Sequence, residues 1–373
     1  MFNKPARSSS GNGKAEIKDS APCQKSIRLT VGPEAIEPVR AAVVGEFQRQ
    51  ATLAGFRKGK APADLIQKQY AKEIETETRQ RSMQQALEQV TKEHELKPVG
   101  PFEIAAANFT PEGGLSLEAT VEVEPKFALA SYAKIPLIRI PADVSPSDVE
   151  QALAKLRESM AQMVPAKGAE SKEGAAKERE LPALDDELAK DLGYETLDKL
   201  RAHIEAKLRE QKRAAQAEAL EQALFDELLK RHPFELPARL VAHQGERLTQ
   251  EFKARLLLQG LPEEQAAAET TKFTDQLRTS AERRVRLAFI LDRIAEQEQL
   301  TVTQDELMKR LWNLSRRWQK DPAEVRRVFD RDGLWPSVVS AIRQEKTVAK
   351  LLAQAAIKEP ASSITSTTEG TNG

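Results

Sequence analysis

At 373 residues the chain is too long for one small core, and roughly two to three domains are expected. Its 57 basic and 57 acidic residues cancel, which argues against a general nucleic-acid coat or a polybasic membrane binder, and any nucleic-acid contact should be local. Charged residues make up 31% of the chain and aromatic ones only 5%, a balance that suits long amphipathic helices better than compact aromatic cores.

Residues 1–13, with Ser8-Ser9-Ser10-Gly11-Asn12-Gly13, read as a disordered lead. Residues 1–19 carry no apolar stretch of the kind a signal peptide needs, and no run is long enough to span a bilayer. A cytoplasmic protein with no membrane partner is expected. Cys23 is the single cysteine, so no internal disulfide can form, and it reads as a bystander.

Ser26-Ile27-Arg28-Leu29-Thr30-Val31 alternates as a half-buried strand does. Ile36, Val39, Val43 and Phe47 then recur at helical spacing, with Pro38 tolerated in the first turn. A basic, glycine-bounded loop separates this helix from a second one over about residues 63–95, whose stripe is Leu65, Ile66, Tyr70, Ile74, Met83, Leu87 and Val90. Strand signals return at Phe102-Glu103-Ile104-Ala105. Leu115, Leu117, Ala119, Val121 and Val123 then alternate with Ser116, Glu118, Thr120, Glu122 and Glu124, which predicts a strand with one wet face. The order implies a compact α+β domain, taken as residues 14–140 with the extended segment that follows it.

Ser145-Pro146-Ser147-Asp148 opens a helix with Ser145 as N-cap and Asp148 three residues on, and its stripe is Val149, Leu153, Leu156, Met160 and Met163. Residues 165–179 form a soft, charged linker, so 141–180 read as helix plus linker. Residues 181–358 are helical by pattern, with turns at Gly193, His232-Pro233, Gly260-Leu261-Pro262, Asp321-Pro322 and Trp335-Pro336. Residues 359–373 read as a disordered tail.

The loop Gly55-Phe56-Arg57-Lys58-Gly59-Lys60-Ala61-Pro62 places one large apolar ring beside three cations with no acid before Asp64. Arg57 and Lys58 can bond phosphates or carboxylates while Phe56 fills a pocket that the charges rim. The pattern alone equally allows Phe56 to be a core residue and the bases to be a solvated turn. The histidines His94, His203, His232 and His243 have no metal-ligand spacing and read as surface or cap residues. Asp185-Asp186-Glu187 is explained by the dipole of a helix's first turn. Without a Walker A motif, a dinucleotide fingerprint or a nucleophile elbow, no cofactor, metal or catalytic residue is expected.

On these residues the chain resembles bacterial trigger factor. The loop resembles that family's ribosome-docking signature. Val121-Glu122-Val123-Glu124-Pro125 resembles the end of its ribosome-binding domain. Phe234-Glu235-Leu236-Pro237, Arg284-Val285-Arg286-Leu287, Asp321-Pro322-Ala323-Glu324-Val325 and Glu345-Lys346-Thr347-Val348-Ala349-Lys350-Leu351-Leu352 are similar to its helical chaperone domain. The resemblance implies an α+β ribosome-binding domain followed by a mainly α-helical chaperone domain. It implies an ATP-independent chaperone that docks at the large-subunit exit tunnel, on protein and ribosomal RNA, and shields unfolded nascent chains. Phe56, Arg57 and Lys58 would make the contact, with Gly55, Gly59, Lys60 and Pro62 shaping the loop.

Client contacts would fall on scattered apolar side chains, among which Met160, Met163, Leu256, Leu257, Leu258, Phe273 and Trp312 are candidates, though for any one of them packing helix on helix is the more ordinary role. No DNA partner is implied, and a weak homodimer is compatible with the resemblance. The family's FKBP-like isomerase domain, roughly 100 residues in the usual case, has no counterpart between Ser145 and Arg179. Prolyl isomerisation is therefore expected to be absent. Retained isomerase activity, an RNA-binding assembly factor using the same loop, and a periplasmic helical chaperone stand as the alternatives.

Overall fold

A computed structural model of the chain describes residues 6–10, 13–53, 56–110, 113–160, 162–165, 177–180 and 183–359. In chain order its elements are β1 (Ala6–Ser10), β2 (Gly13–Ala21), β3 (Gln24–Val31), α1 (Pro33–Gln50), α2 (Ala63–Gln69), α3 (Ala71–Glu93), β4 (Glu103–Phe109), β5 (Leu115–Glu122), β6 (Pro136–Ile138), α4 (Pro146–Ser159), β7 (Gln162–Pro165), β8 (Lys177–Glu180), α5 (Asp186–Asp191), α6 (Leu197–Arg231), α7 (Ala238–Leu258), α8 (Glu263–Lys272), α9 (Thr274–Gln297), α10 (Gln304–Trp318), α11 (Pro322–Asp332), α12 (Trp335–Gln354) and β9 (Ala356–Lys358). The chain forms two compact units, residues 1–130 with 232–297 and residues 131–231 with 298–373. The sequence suggests successive blocks at 14–140 and 181–358; here α7, α8 and α9 share a unit with the N-terminal sheet.

In the first unit five antiparallel strands lie in the order β1-β2-β3-β5-β4. The register sets Ile27 opposite Ala119 and Leu29 opposite Leu117, so period-2 alternation collects these side chains on one face. The N-terminal half of α1 (Ile36) and the C-terminal half of α3 (Ala86, Leu87, Val90) close over them. Further along the same two helices a second small core joins Val43, Val44, Ile74, Ile66 and Ala61. Arg81 bridges the helices between these cores, meeting both carboxylate oxygens of Glu46 at 2.8 and 2.6 Å and Glu77 at 2.7 Å. That fork holds the Glu46 carboxyl below its ordinary range. The helix predicted over 63–95 is broken at Tyr70, which leaves helical geometry at φ −113°, ψ 32° and packs its ring on Phe47 at 5.8 Å.

The wet face predicted for β5 fails at one position. Glu122 is buried, and its carboxylate accepts the Arg239 N–H at 2.7 Å and the Leu240 N–H at 3.0 Å in the first turn of α7. Pro237, at the N-cap, offers no side-chain acceptor, so Glu122 supplies one from the sheet. Around it the Cys23 thiol donates to the Glu235 carbonyl at 3.4 Å and is pushed up by burial, and Phe127 stacks on Phe234 at 4.2 Å. Cys23 is therefore part of this contact rather than a bystander. His232 is not a surface residue either: it is buried, and its Nε2 accepts the Ala130 N–H at 2.9 Å. Beyond this junction α7 and α9 pack closely, with Gly245 facing Ala281 and Phe273 against Phe252 at 5.3 Å.

In the second unit α4 packs through Leu153 on Ala189 of α5 and Leu200 of α6. Its capping box is as predicted, Ser145 with Asp148. Lys212 reaches the Asp148 carboxylate at 2.7 Å, and together with the Ser145 N–H and hydroxyl it lowers that carboxyl to about 2. Asp185 caps α5, as the dipole argument expects. Leu311, Val325 and Phe329 join α10 to α11 in a core of their own, with Trp335 packed against it. The C-terminal strand β9, hidden inside a helical reading of residues 181–358, pairs in parallel with β6.

The lead expected to be disordered contains β1, which pairs with β2 through backbone groups that a Ser-rich composition does not remove. The segment expected as a linker carries the antiparallel pair β7-β8 at its ends. Residues 1–5 and 11–12 of the lead, 166–176 of the linker and 360–373 of the expected disordered tail lie outside the described residues.

Glu122→Ala strips two N–H groups of their acceptor and should lower the unfolding free energy by about 1–3 kcal/mol, whereas Glu122→Gln, which keeps one acceptor oxygen, should lose roughly half as much. Urea unfolding midpoints of the full chain check this, and equal losses for both variants would contradict it. Because folding depresses the Asp148 pKa from 3.8 to about 2, its cluster stabilises the fold above pH 3.8 and that contribution disappears as pH falls through about 2. In an NMR titration Lys212→Met should return the Asp148 carboxyl toward its ordinary value; an unmoved titration would remove the lysine from the account.

Candidate functional site: the basic loop and the exposed apolar surfaces

The loop between α1 and α2 stands on the small core formed by Val43, Val44, Ala61, Ile66 and Ile74. Its backbone is fixed from below. The Phe56 N–H donates to the Leu53 carbonyl at 3.1 Å, the Lys60 N–H to the Arg57 carbonyl at 2.9 Å, and the Gln48 side chain to the Ala61 carbonyl at 2.6 Å. Residues 57–60 form a tight turn with Gly59 third, at φ 79°. That left-handed value is what a type II turn requires there. A Cβ on Gly59 would lie 3.8 Å from the Arg49 carbonyl oxygen, so backbone angle rather than crowding reserves the position for glycine.

Above this base the side chains point outward. Phe56 is 39% exposed, and Arg57, Lys58 and Lys60 are exposed with no ion pair among the described residues. Pro62 caps α2 without a side-chain acceptor. Gly55 lies outside the described residues. The structure thus removes the core reading of Phe56 that pattern alone left open: the core beneath the loop is filled by Ala61 and Ile66 instead. The arrangement can seat an aromatic ring in a partner's pocket while Arg57 and Lys58 meet phosphate or carboxylate oxygens. It holds no nucleophile or paired acid and base.

The client candidates sort unevenly. Leu257 and Leu258 sit at the end of α7, and Leu258 is 90% exposed. Trp312, on α10, is 55% exposed. Phe273 is half-buried against Phe252, and Met160, at the C-cap of α4, is half-buried. The side chain of Met163 lies outside the described residues, as its strand β7 is described by backbone alone. Trp318 and Leu334, outside the candidates that pattern suggests, are exposed as well. The signal for Trp318 was present, as an aromatic beside the Arg316-Arg317 pair. Among the described residues no group of His, Cys, Asp and Glu could hold a metal, and no helix is long and apolar enough to cross a membrane.

The family model for the bacterial trigger factor protein matches residues 14–156, and the model for the trigger factor C-terminus matches residues 196–353. The chain belongs to the trigger factor family. Members are ribosome-associated chaperones. The trigger factor of Solibacter usitatus is 23% identical over 410 aligned positions, covering 89% of this chain and 97% of that protein. That of Anaeromyxobacter dehalogenans is 24% identical over 428 positions, covering 93% and 100%. Both alignments are longer than the 373-residue chain, so the relatives carry segments with no counterpart here. A solved structure of the trigger factor chaperone, from work on its promiscuous substrate recognition, covers 91% of this chain and 99% of that one at 18% identity, with a TM-score of 0.48. Between the two matched parts lie only residues 157–195, too few for an FKBP-like domain of roughly 100 residues.

Since Phe56 is outward and Ile66 is fully buried, the two should respond in opposite ways. Phe56→Ala should change stability by no more than about 0.5 kcal/mol, while Ile66→Ala should cost about 2–5 kcal/mol. Thermal unfolding of both variants checks this; a large loss for Phe56→Ala would return that ring to the core.

Proposed function

We propose that this chain is an ATP-independent chaperone that docks on the large ribosomal subunit at the exit tunnel and shields nascent polypeptides as they emerge. The observation that carries the reading is the loop: a half-exposed Phe56 beside Arg57 and Lys58, unpaired among the described residues, on a turn fixed by Gly59, in a chain of the trigger factor family. In this reading Phe56 enters an apolar pocket on a ribosomal protein while the two cations meet acidic side chains or ribosomal RNA phosphates. Lys60 and Pro62 hold the loop's shape. The sheet with α1, α2 and α3 would be the ribosome-binding part, and the later helical segments the client-binding part.

Clients would be held by transient burial against exposed apolar side chains such as Leu257, Leu258 and Trp312. Docking raises the concentration of these surfaces around each new chain, so weak contacts suffice. The compartment is the cytoplasm, where translation takes place. Prolyl isomerisation forms no part of the proposal.

Changing Phe56, Arg57 and Lys58 together to alanine should abolish co-sedimentation with purified ribosomes and leave suppression of client aggregation in solution nearly unchanged. Wild-type binding should weaken modestly as salt rises, because few cations engage. Undiminished pelleting of the triple variant would place docking elsewhere on the chain.

A further inference from the structure

The chain has 3 tryptophans, and all of them, Trp312, Trp318 and Trp335, lie on α10 and α12 of the second unit. Between Glu306 and Asp321 the sequence carries Lys309, Arg310, Arg316, Arg317 and Lys320 with no acid. Arg310 is committed to Glu345 at 2.8 Å and Lys320 to Glu324 at 3.3 Å. Lys309, Arg316 and Arg317 are exposed and form no ion pair among the described residues. The two acids at the start of α10 serve the helix and its neighbour: Glu306 pairs with Lys346 at 2.8 Å, and Asp305 sits in the first turn, where the helix dipole favours it.

Lys309, Trp312 and Arg316 follow the spacing i, i+3, i+7 and therefore line one face of α10, with Arg317 beside them. The opposite face is occupied, since Leu311 and Ser315 are buried and Leu311 packs on Val325 and Phe329 of α11. α10 is thus anchored by its inner side and presents an indole between two cations on its outer side. In a chain whose charges balance overall, this local excess of unpaired positive charge is a directed field rather than a general property.

The geometry points to this face as a client-selecting surface for unfolded polypeptide segments in which aromatic or aliphatic residues stand next to Asp or Glu. The inference rests on the chaperone reading and specifies the client chemistry. The indole covers an apolar side chain, the flanking ammonium and guanidinium groups take the neighbouring carboxylates, and segments rich in Lys or Arg are turned away by like charge. Single-stranded RNA fits the charges but not the rings. Trp312 and Trp318 are six residues apart and leave the helix roughly 120° from each other. Trp318 is moreover stacked on Phe329 at 6.3 Å, so successive bases would meet one free ring rather than a platform.

Binding is read from the anisotropy of a fluorophore carried by each probe, and the intrinsic emission of Trp312, Trp318 and Trp335, all on α10 and α12, reports whether the complex forms there. The full chain is titrated with two tryptophan-free unfolded peptides of equal length and phenylalanine content, one bearing Asp and Glu, the other Lys, and with an oligouridylate of matched length. The acidic peptide should bind about tenfold more tightly than the basic one at low salt, as two or three surface charge pairs would provide, with the gap closing as salt rises. The combined substitutions Lys309→Glu, Arg316→Glu and Arg317→Glu should reverse the order, and Trp312→Ala should weaken both peptides without reversing it. Circular dichroism of the variants should be that of the wild type, since all four side chains are exposed.

Equal affinity for the two peptides, or tighter binding of the oligonucleotide than of the acidic peptide, overturns the inference. If the wild type still suppresses aggregation of a denatured client in that case, the chaperone reading stands and only the selectivity falls. If it suppresses no client's aggregation, both fall.

Discussion

A carboxylate in the last position of β5, where alternation would turn it toward water, decides how the first unit is put together. Glu122 replaces the missing cap of α7, and only with that helix seated on the sheet do Phe127 and Phe234 stack and Cys23 meet the Glu235 carbonyl. A helix start that supplies no acceptor of its own, Pro237, would otherwise leave its first N–H groups to solvent. The contact joins residues more than a hundred positions apart in sequence, so a stretch of helical chain becomes part of the same compact unit as the N-terminal strands.

The same economy of apolar contact shapes the basic loop. α1 and α3 carry one core beneath the sheet and a second, smaller one beneath the loop, with the Arg81–Glu46 fork between them. The outer core is small because its task is local: it fixes the ends of a short loop, through Gln48, Ala61 and Ile66, and leaves the tip free. Rigid support below and unpaired charge above are what a docking element requires. A ring ordered before contact loses less freedom on binding than one that must first be placed.

Much of this was legible in the residues. The alternation of β5, the two helices flanking the loop and the Ser145 capping box each depend on local patterns that sequence displays directly. The loop's charges and glycines were equally plain. Whether Phe56 faced in or out was not, because the small core beneath it is assembled from residues on three helices, and no single stretch reveals whether that core is already full. Glu122, His232 and Cys23 are illegible for a related reason. Each is buried by a partner far away in sequence, and a polar residue on a regular strand or at a helix end gives no local sign of such a partner. β9 is hidden in the helical pattern because three residues are too few to show a period.

The central claim is that Phe56 meets the ribosome directly. Placing a photo-crosslinking phenylalanine analogue at position 56 and irradiating the chain with ribosomes exposing a nascent chain tests it without relying on loss of function. The account predicts an adduct with a component of the large subunit, absent when Arg57 and Lys58 are also changed to alanine. Adducts formed only within the chain itself, while the protein still sediments with ribosomes, would contradict it.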